Sequence, residues 1–272
     1  MKRSRWVPLI TGGGGVSSNR PAGVPRLVTG PLTNGVPYFE DFHAFSLATS
    51  GHPSWLHTVL AGSGTAGGTG SNLGSGVLQI ATGAVSGDGS VVTSGGRTTT
   101  TGSILQANTT ARPFIAQFRV VTGPSNADLN WGFGLIPTGF DATADWLTDP
   151  DSNLQGSAVT ANSIVFTRHS ATYSGDTAGS LIARLYETTD TDSTSLDLGT
   201  VSTATAIKVE VHWTGTGLLV YRDGTYIGTM ATPNVSSFTL KTSFAARLSG
   251  GVTSRAFNID SYYQEVTNST AR

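Results

Sequence analysis

Ile207-Lys-Val-Glu-Val-His-Trp213, Thr214-Gly-Thr-Gly217, Leu218-Leu-Val-Tyr-Arg222, Asp223-Gly224 and Thr225-Tyr-Ile-Gly228 form the strongest conformational signal in the chain. The first segment alternates strictly. Ile207, Val209, Val211 and Trp213 fall on one side, and Lys208, Glu210 and His212 on the other. That is the period of two that a half-buried strand requires. The polar side is expected to be a solvated outer face. Asp-Gly tolerates positive φ at both central positions of a two-residue turn, so Asp223-Gly224 predicts a β-hairpin between the runs on either side of it.

The same alternation recurs upstream and downstream. In Phe114–Val121, Phe114, Ala116, Phe118 and Val120 alternate against Ile115, Gln117 and Arg119. Trp131–Ile136 alternates with glycine and ends at Pro137; Trp131 and Trp213 are expected in the core. Ser163–Arg168, Leu181–Tyr186, Thr239–Leu248 and Ala256–Val266 complete the clear cases, and Val77–Ile80 makes a short strand. Residues 61–76 and 82–103 are Gly/Ser/Thr-rich, with turn signals at Asp88-Gly89 and Gly95-Gly96, and Thr98–Thr101 reads as an edge strand or extended loop. The expected total is roughly ten to twelve short strands, with at most one helical turn, at 139–148. Composition agrees: 12% of residues are charged, about half the usual share of about 25%, and 35 glycines leave little for long helices. The chain is expected to be all-β, an antiparallel sandwich.

Charge divides the chain. Before Glu40 stand Lys2, Arg3, Arg5, Arg20 and Arg26 and no acidic residue, whereas the rest is net acidic. Gly12–Gly15, Pro21, Pro25, Pro31 and Pro37 interrupt this section, so it is not expected to build its own sheet. Residues 1–36 therefore read as an extended basic arm and 37–272 as a single sandwich domain. Arg3, Arg5, Trp6, Leu9, Ile10, Arg20 and Leu27 are the arm's candidate partner-binding residues, its apolar ones too costly to leave in water. A tail collapsed on its own domain is the alternative. Five cations are too sparse for a nucleic-acid tail, and no specific nucleic acid is expected.

The chain has no cysteine, which excludes disulfides, thiolate metal sites and a Cys nucleophile. The apolar run Trp6–Ile10 is too short for a signal sequence. Nothing approaches the ~18 apolar residues of a membrane span, so a cytoplasmically made protein with no membrane partner is expected.

The hairpin run Ile207–Met230, with Tyr221-Arg-Asp-Gly224 before the crossover, resembles the equivalent hairpin of concanavalin A-like (laminin-G-like) jelly-roll domains. Phe114–Val121, Trp131–Ile136, Asn162–His169 and the terminal Ala256–Val266 fall in the order those domains show. The resemblance covers residues 38–268, and it implies a concanavalin A-like jelly roll with an extended N-terminal arm. The Gly/Thr/Ser-rich, cysteine-free style with such an arm is also similar to capsid decoration (cement) proteins of tailed bacteriophages. That similarity implies a virion structural protein on the capsid surface. Its expected partners are the major capsid protein or other virion proteins, and other copies of itself, with a trimer as the expected oligomer.

The residues offer little chemistry. Glycoside hydrolysis needs two carboxylates about 5–10 Å apart, and the hydrolases of this fold carry them in a Glu-x-Asp-x-x-Glu motif on one strand. Glu40, Glu187, Glu210 and Glu265 are the only glutamates, and none lies in such a motif. No Gly-x-Ser-x-Gly sits between a strand and a helix, and His43, His52 and His57 lack helical metal spacing. No catalytic residue, enzymatic activity or cofactor is expected. Asp141, Asp145, Asp149 and Asp151 cluster in one loop and are weak calcium candidates, the alternative being a merely acidic, solvated loop. Trp146, beside Asp145, is the candidate glycan-binding ring, with Tyr173 and Trp55 weaker. The leading expectation is a cement protein attached through its arm. A carbohydrate-binding, lectin-like module of a phage fibre, reading surface glycans, is the alternative.

Overall fold

The computed structural model describes residues 35–40, 42, 55–68, 76–94, 105–107, 113–122, 128–137, 147, 163–170, 177–186, 194–214, 217–230 and 238–267. They lie within one compact unit, Pro31–Arg272, and form sixteen strands in two eight-stranded sheets. In spatial order the first sheet runs β14 (Thr225–Met230), β13 (Leu218–Arg222), β12 (Ala206–Trp213), β7 (Phe114–Thr122), β16 (Ala256–Thr267), β4 (Leu78–Thr82) and β3 (Gly64–Gly68). There β1 (Gly35–Glu40) pairs with the C-terminal half of β16. The second runs β11 (Thr194–Thr200), β10 (Ser180–Tyr186), β9 (Ser163–Arg168), β8 (Leu129–Pro137), β15 (Phe238–Leu248), β5 (Gly89–Ser94) and β2 (Trp55–Ala61), and β6 (Leu105–Ala107) pairs with the start of β15. The strand pairs of both sheets are antiparallel.

The inner faces meet in one aromatic core. Phe118 lies at its centre, its ring centroid 4.8 Å from Phe133, 5.1 Å from Tyr262 and 6.1 Å from Phe166 and Phe244. Trp131 stacks on Phe257 at 4.7 Å, bringing the two sheets together through flat apolar rings. Trp131 and Trp213 are both buried, as the alternation requires. The Asp223-Gly224 turn forms as expected, with φ of 50° and 79° at its two central residues. A two-residue hairpin of this hand needs positive φ at both.

One lateral edge is closed by Arg222. Its guanidinium donates to the carbonyls of Leu198, Gly199 (3.0 Å) and Thr200 (3.1 Å), tying the end of β13 in one sheet to β11 in the other. Gly228 on β14 faces Leu196 closely; a Cβ there would sit 3.1 Å from a Leu196 methyl. Two stretches read as loop contain strands. Gly64–Gly68 is edge strand β3, and Gly89–Ser94 is the fully buried β5. The turn signalled at Asp88-Gly89 closes on Asp88, whose amide donates to the Val85 carbonyl at 2.9 Å. The Asp88 carboxylate is buried and accepts from the Val85 amide (3.2 Å) and the Ser63 hydroxyl (3.4 Å).

Candidate functional site

The outward phase of the first sheet gathers its most chemical side chains into cross-strand rows. Tyr226, Tyr221, Glu210, Gln117 and Tyr263 stand opposite one another in register across β14, β13, β12, β7 and β16. Four inter-strand steps of about 4.8 Å make this row about 19 Å long. Beside it runs a second row: Thr229, Leu219, His212, Ile115 and Glu265. On its other side Lys208 pairs with Arg119, which stands opposite Ser261. In a sheet, directly opposed residues on one face are the pairs whose side chains touch, so these rows are contiguous surfaces.

The centre of this face is buried and its rim is open. Glu210 and His212 are 5% and 4% exposed, so the expectation of a solvated face for Lys208, Glu210 and His212 is corrected at two of the three positions. A buried carboxylate needs partners, and Glu210 has two: the Lys208 ammonium and His212 Nε2, 3.3 Å away. A carboxylate only accepts, so the imidazole presents its Nε2–H there. Burial alone pushes the Glu210 carboxyl up, but hydrogen bonds and charge from His212 and Lys208 outweigh it and hold the group below its usual range. The His212 ring packs 4.8 Å from Tyr221, which meets Tyr226 at 5.5 Å. At the far end the Tyr263 hydroxyl donates to Glu265 at 2.7 Å. Burial, and then that acceptor, push the Tyr263 phenol well above its ordinary range. On the rim Arg119 and Asp260 form a 2.9 Å ion pair.

The arrangement can bind but is poorly set for acid catalysis. It offers two half-buried tyrosine rings in one cross-strand row, with the half-buried Gln117 amide between them. A glycosidic general acid needs a carboxyl held protonated near neutral pH, and Glu210 is held the other way.

Among solved structures the sandwich is similar to peanut lectin, at a TM-score of 0.54 and 16% identity over 88% of this chain and 100% of that one. The fold is a concanavalin A-like lectin fold. The carbohydrate recognition domain of Emp47p is also similar, at a TM-score of 0.50 and 11% identity over 87% of this chain and 96% of that one. So is SO2946 from Shewanella oneidensis MR-1, a protein of unknown function, at a TM-score of 0.52 and 13% identity over 90% and 92%. No protein-family model matches the sequence, and no curated protein does.

Most sequence-predicted site residues lie outside the described residues: Arg3, Arg5, Trp6, Leu9, Ile10, Arg20 and Leu27 of the arm, and Asp141, Asp145, Trp146, Asp149 and Asp151 of the acidic loop. Tyr173, His43 and His52 do too. Within 139–151 the described residue is Leu147, buried, whose carbonyl accepts from Asn130 Nδ2 at 2.9 Å. Trp55 is corrected: it packs in the core, 5.6 Å from Phe42 and 5.7 Å from Phe244. His57 is half-buried, 3.2 Å from the Ser90 hydroxyl, and burial pushes its imidazole down. The rows themselves were missed, because their members come from five strands spread over some 150 positions. The available signal was phase: Gln117, Arg119, Glu210, His212 and Asp260 each occupy the polar phase of an alternating run.

Proposed function

We propose that this chain is a carbohydrate-binding protein that holds an oligosaccharide on the outer face of its first sheet, with no chemistry performed on it. The observation that carries the reading is the 19 Å row from Tyr226 to Tyr263. An aromatic face offers an apolar surface to a sugar ring, and the half-buried Gln117 amide between the rings can both donate to and accept from hydroxyls. The lectin fold is in keeping with this, as are the sugar-recognition domains among its structural neighbours, although fold does not dictate function. Affinity electrophoresis through gels containing soluble polysaccharides tests it. Tyr226→Ala, on the half-buried rim, should weaken retardation roughly threefold to tenfold. Trp146→Ala is the parallel arm: if it alone abolishes retardation, the ligand sits on the 139–151 loop instead.

A second reading follows from the charge division of the sequence. A basic arm with apolar anchors ahead of an acidic body suits attachment to a larger assembly, as in a bacteriophage capsid decoration protein. On this reading the arm docks on the major capsid protein, the sandwich projects from the virion, and copies associate as trimers. Co-sedimentation with undecorated phage heads distinguishes the two. Attachment through the arm requires the full chain to pellet and a chain lacking residues 1–36 to remain in solution.

A further inference from the structure

The charges of the candidate face are already spent on one another. Among the described residues, the two exposed cations of this face each have an acidic partner: Arg119 with Asp260, and Lys208 with Glu210. The other carboxylate of the face, Glu265, is buried and accepts from the Tyr263 hydroxyl. Asp223, at the hairpin turn, caps the same end by accepting from the Lys208 amide at 2.9 Å. A polyanionic chain approaching here finds both cations already paired and must displace a carboxylate to reach either one.

The Arg119–Asp260 pair sits at a local irregularity. The register of β16 against β7 shifts between Ile259 and Ser261, so two residues of β16 oppose one of β7. Ser261 stands opposite Arg119, and the extra residue is Asp260. Both Asp260 and Ser261 therefore face Arg119, and the Asp260 carboxylate meets the guanidinium at 2.9 Å.

From this we infer that the face takes a neutral, hydroxyl-rich polysaccharide chain, and that Asp260 is the specificity residue that keeps polyuronates and other polyanions off by masking Arg119. The inference rests on the carbohydrate-binding reading and sharpens it to a ligand class. Neutral sugar hydroxyls both donate and accept, and so do the part-open neutral groups of this face: the Gln117 amide, and the Tyr226 and Thr229 hydroxyls, which bond to one another at 2.6 Å.

The test uses the full chain and its Asp260→Asn variant in affinity electrophoresis against a neutral glucan, a neutral galactomannan and polygalacturonate, at low and high salt. Wild type should be retarded by at least one neutral polymer and not by polygalacturonate. Asp260→Asn should gain affinity for polygalacturonate on the order of threefold to tenfold, lost again at high salt, while keeping its neutral ligand. Circular dichroism checks that the variant is folded. Asp260→Ser serves as a second variant, since it also removes the charge. Tighter binding of polygalacturonate than of neutral polymers by wild type overturns the inference and leaves the carbohydrate site standing. So does polygalacturonate affinity unchanged in both variants. Retardation by none of the polymers overturns the carbohydrate-binding reading itself, and the inference with it.

Discussion

The outer faces of the two sheets are built from the same kind of alternating strand and differ in almost everything else. On the first sheet the outward row across five strands is Tyr226, Tyr221, Glu210, Gln117 and Tyr263. The corresponding row on the second sheet is Thr93, Ser243, Gly134, Val165 and Arg184. Beside it stand Val91, Ala245, Gly132, Thr167 and Ile182, all buried. Its charged members are also buried: Arg184 donates to the Thr167 hydroxyl at 2.7 Å, and burial pushes the Lys241 ammonium down. Gly134 allows strands β8 and β9 a close approach, since a Cβ there would lie 2.2 Å from the Ile164 carbonyl oxygen. One face is made mostly of short or aliphatic side chains around buried Arg184 and Lys241, the other of long polar and aromatic ones that permit hydrogen bonding. Alternation reveals which residues point outward; the size and chemistry of that outward phase reveal what the face is for.

The two faces belong to a single body because one aromatic core joins their sheets. Phe118→Ala removes the ring that touches both sheets and should cost about 3–5 kcal/mol. Denaturant unfolding followed by near-ultraviolet circular dichroism and tryptophan fluorescence should give one coincident transition, and two separate ones would break the comparison. Next in size is the packing face. Gly134→Ala forces backbone atoms of β8 and β9 apart and should cost about 2–3 kcal/mol, with no effect on polysaccharide retardation.

On the hydrogen-bonding face, Glu210→Ala strips the buried acceptor from His212 and Lys208 and should cost about 1–2 kcal/mol, because Lys208 keeps contact with water. The same residue makes stability depend on pH. Its folded carboxyl titrates below the unfolded value of 4.5, so its contribution is present above that value and is lost as pH falls through the lower folded one. Glu210→Gln should therefore flatten the acid limb of a stability–pH curve, and an unchanged limb would show that the carboxylate is not held by its partners. The smallest effect is expected on the rim. Arg119→Ala breaks a largely exposed pair and should cost less than about 1 kcal/mol.

Legibility followed pattern strength. The hairpin from Ile207 to Gly228 and the strands at Phe114, Trp131 and Ala256 were readable because each buries one face against the core and leaves the other phase polar. Strand β5 was not, because Gly89–Ser94 is buried on both sides and shows no alternation. Strand β3, Gly-Thr-Ala-Gly-Gly, has almost no side chains from which to read a period. Trp55 misled as a candidate sugar platform, since an aromatic in a short unpatterned run can sit on either surface; its contacts with Phe42 and Phe244 put it inside.

The fold class, the position of the Asp223-Gly224 turn and the phase of each strong strand all follow from local chemistry: alternation along a pleated backbone and the φ preferences of turn residues. The site does not. Glu210, Gln117 and Tyr263 become neighbours because β7 lies between β12 and β16, an order set by how two twisted sheets bury their shared aromatic core. Asp260 and Ser261 both face Arg119 because of a one-residue slip in pairing that strand alternation does not encode. Neighbours along the chain are governed by its own covalent period, whereas neighbours across a sheet are governed by which strands the core brings together.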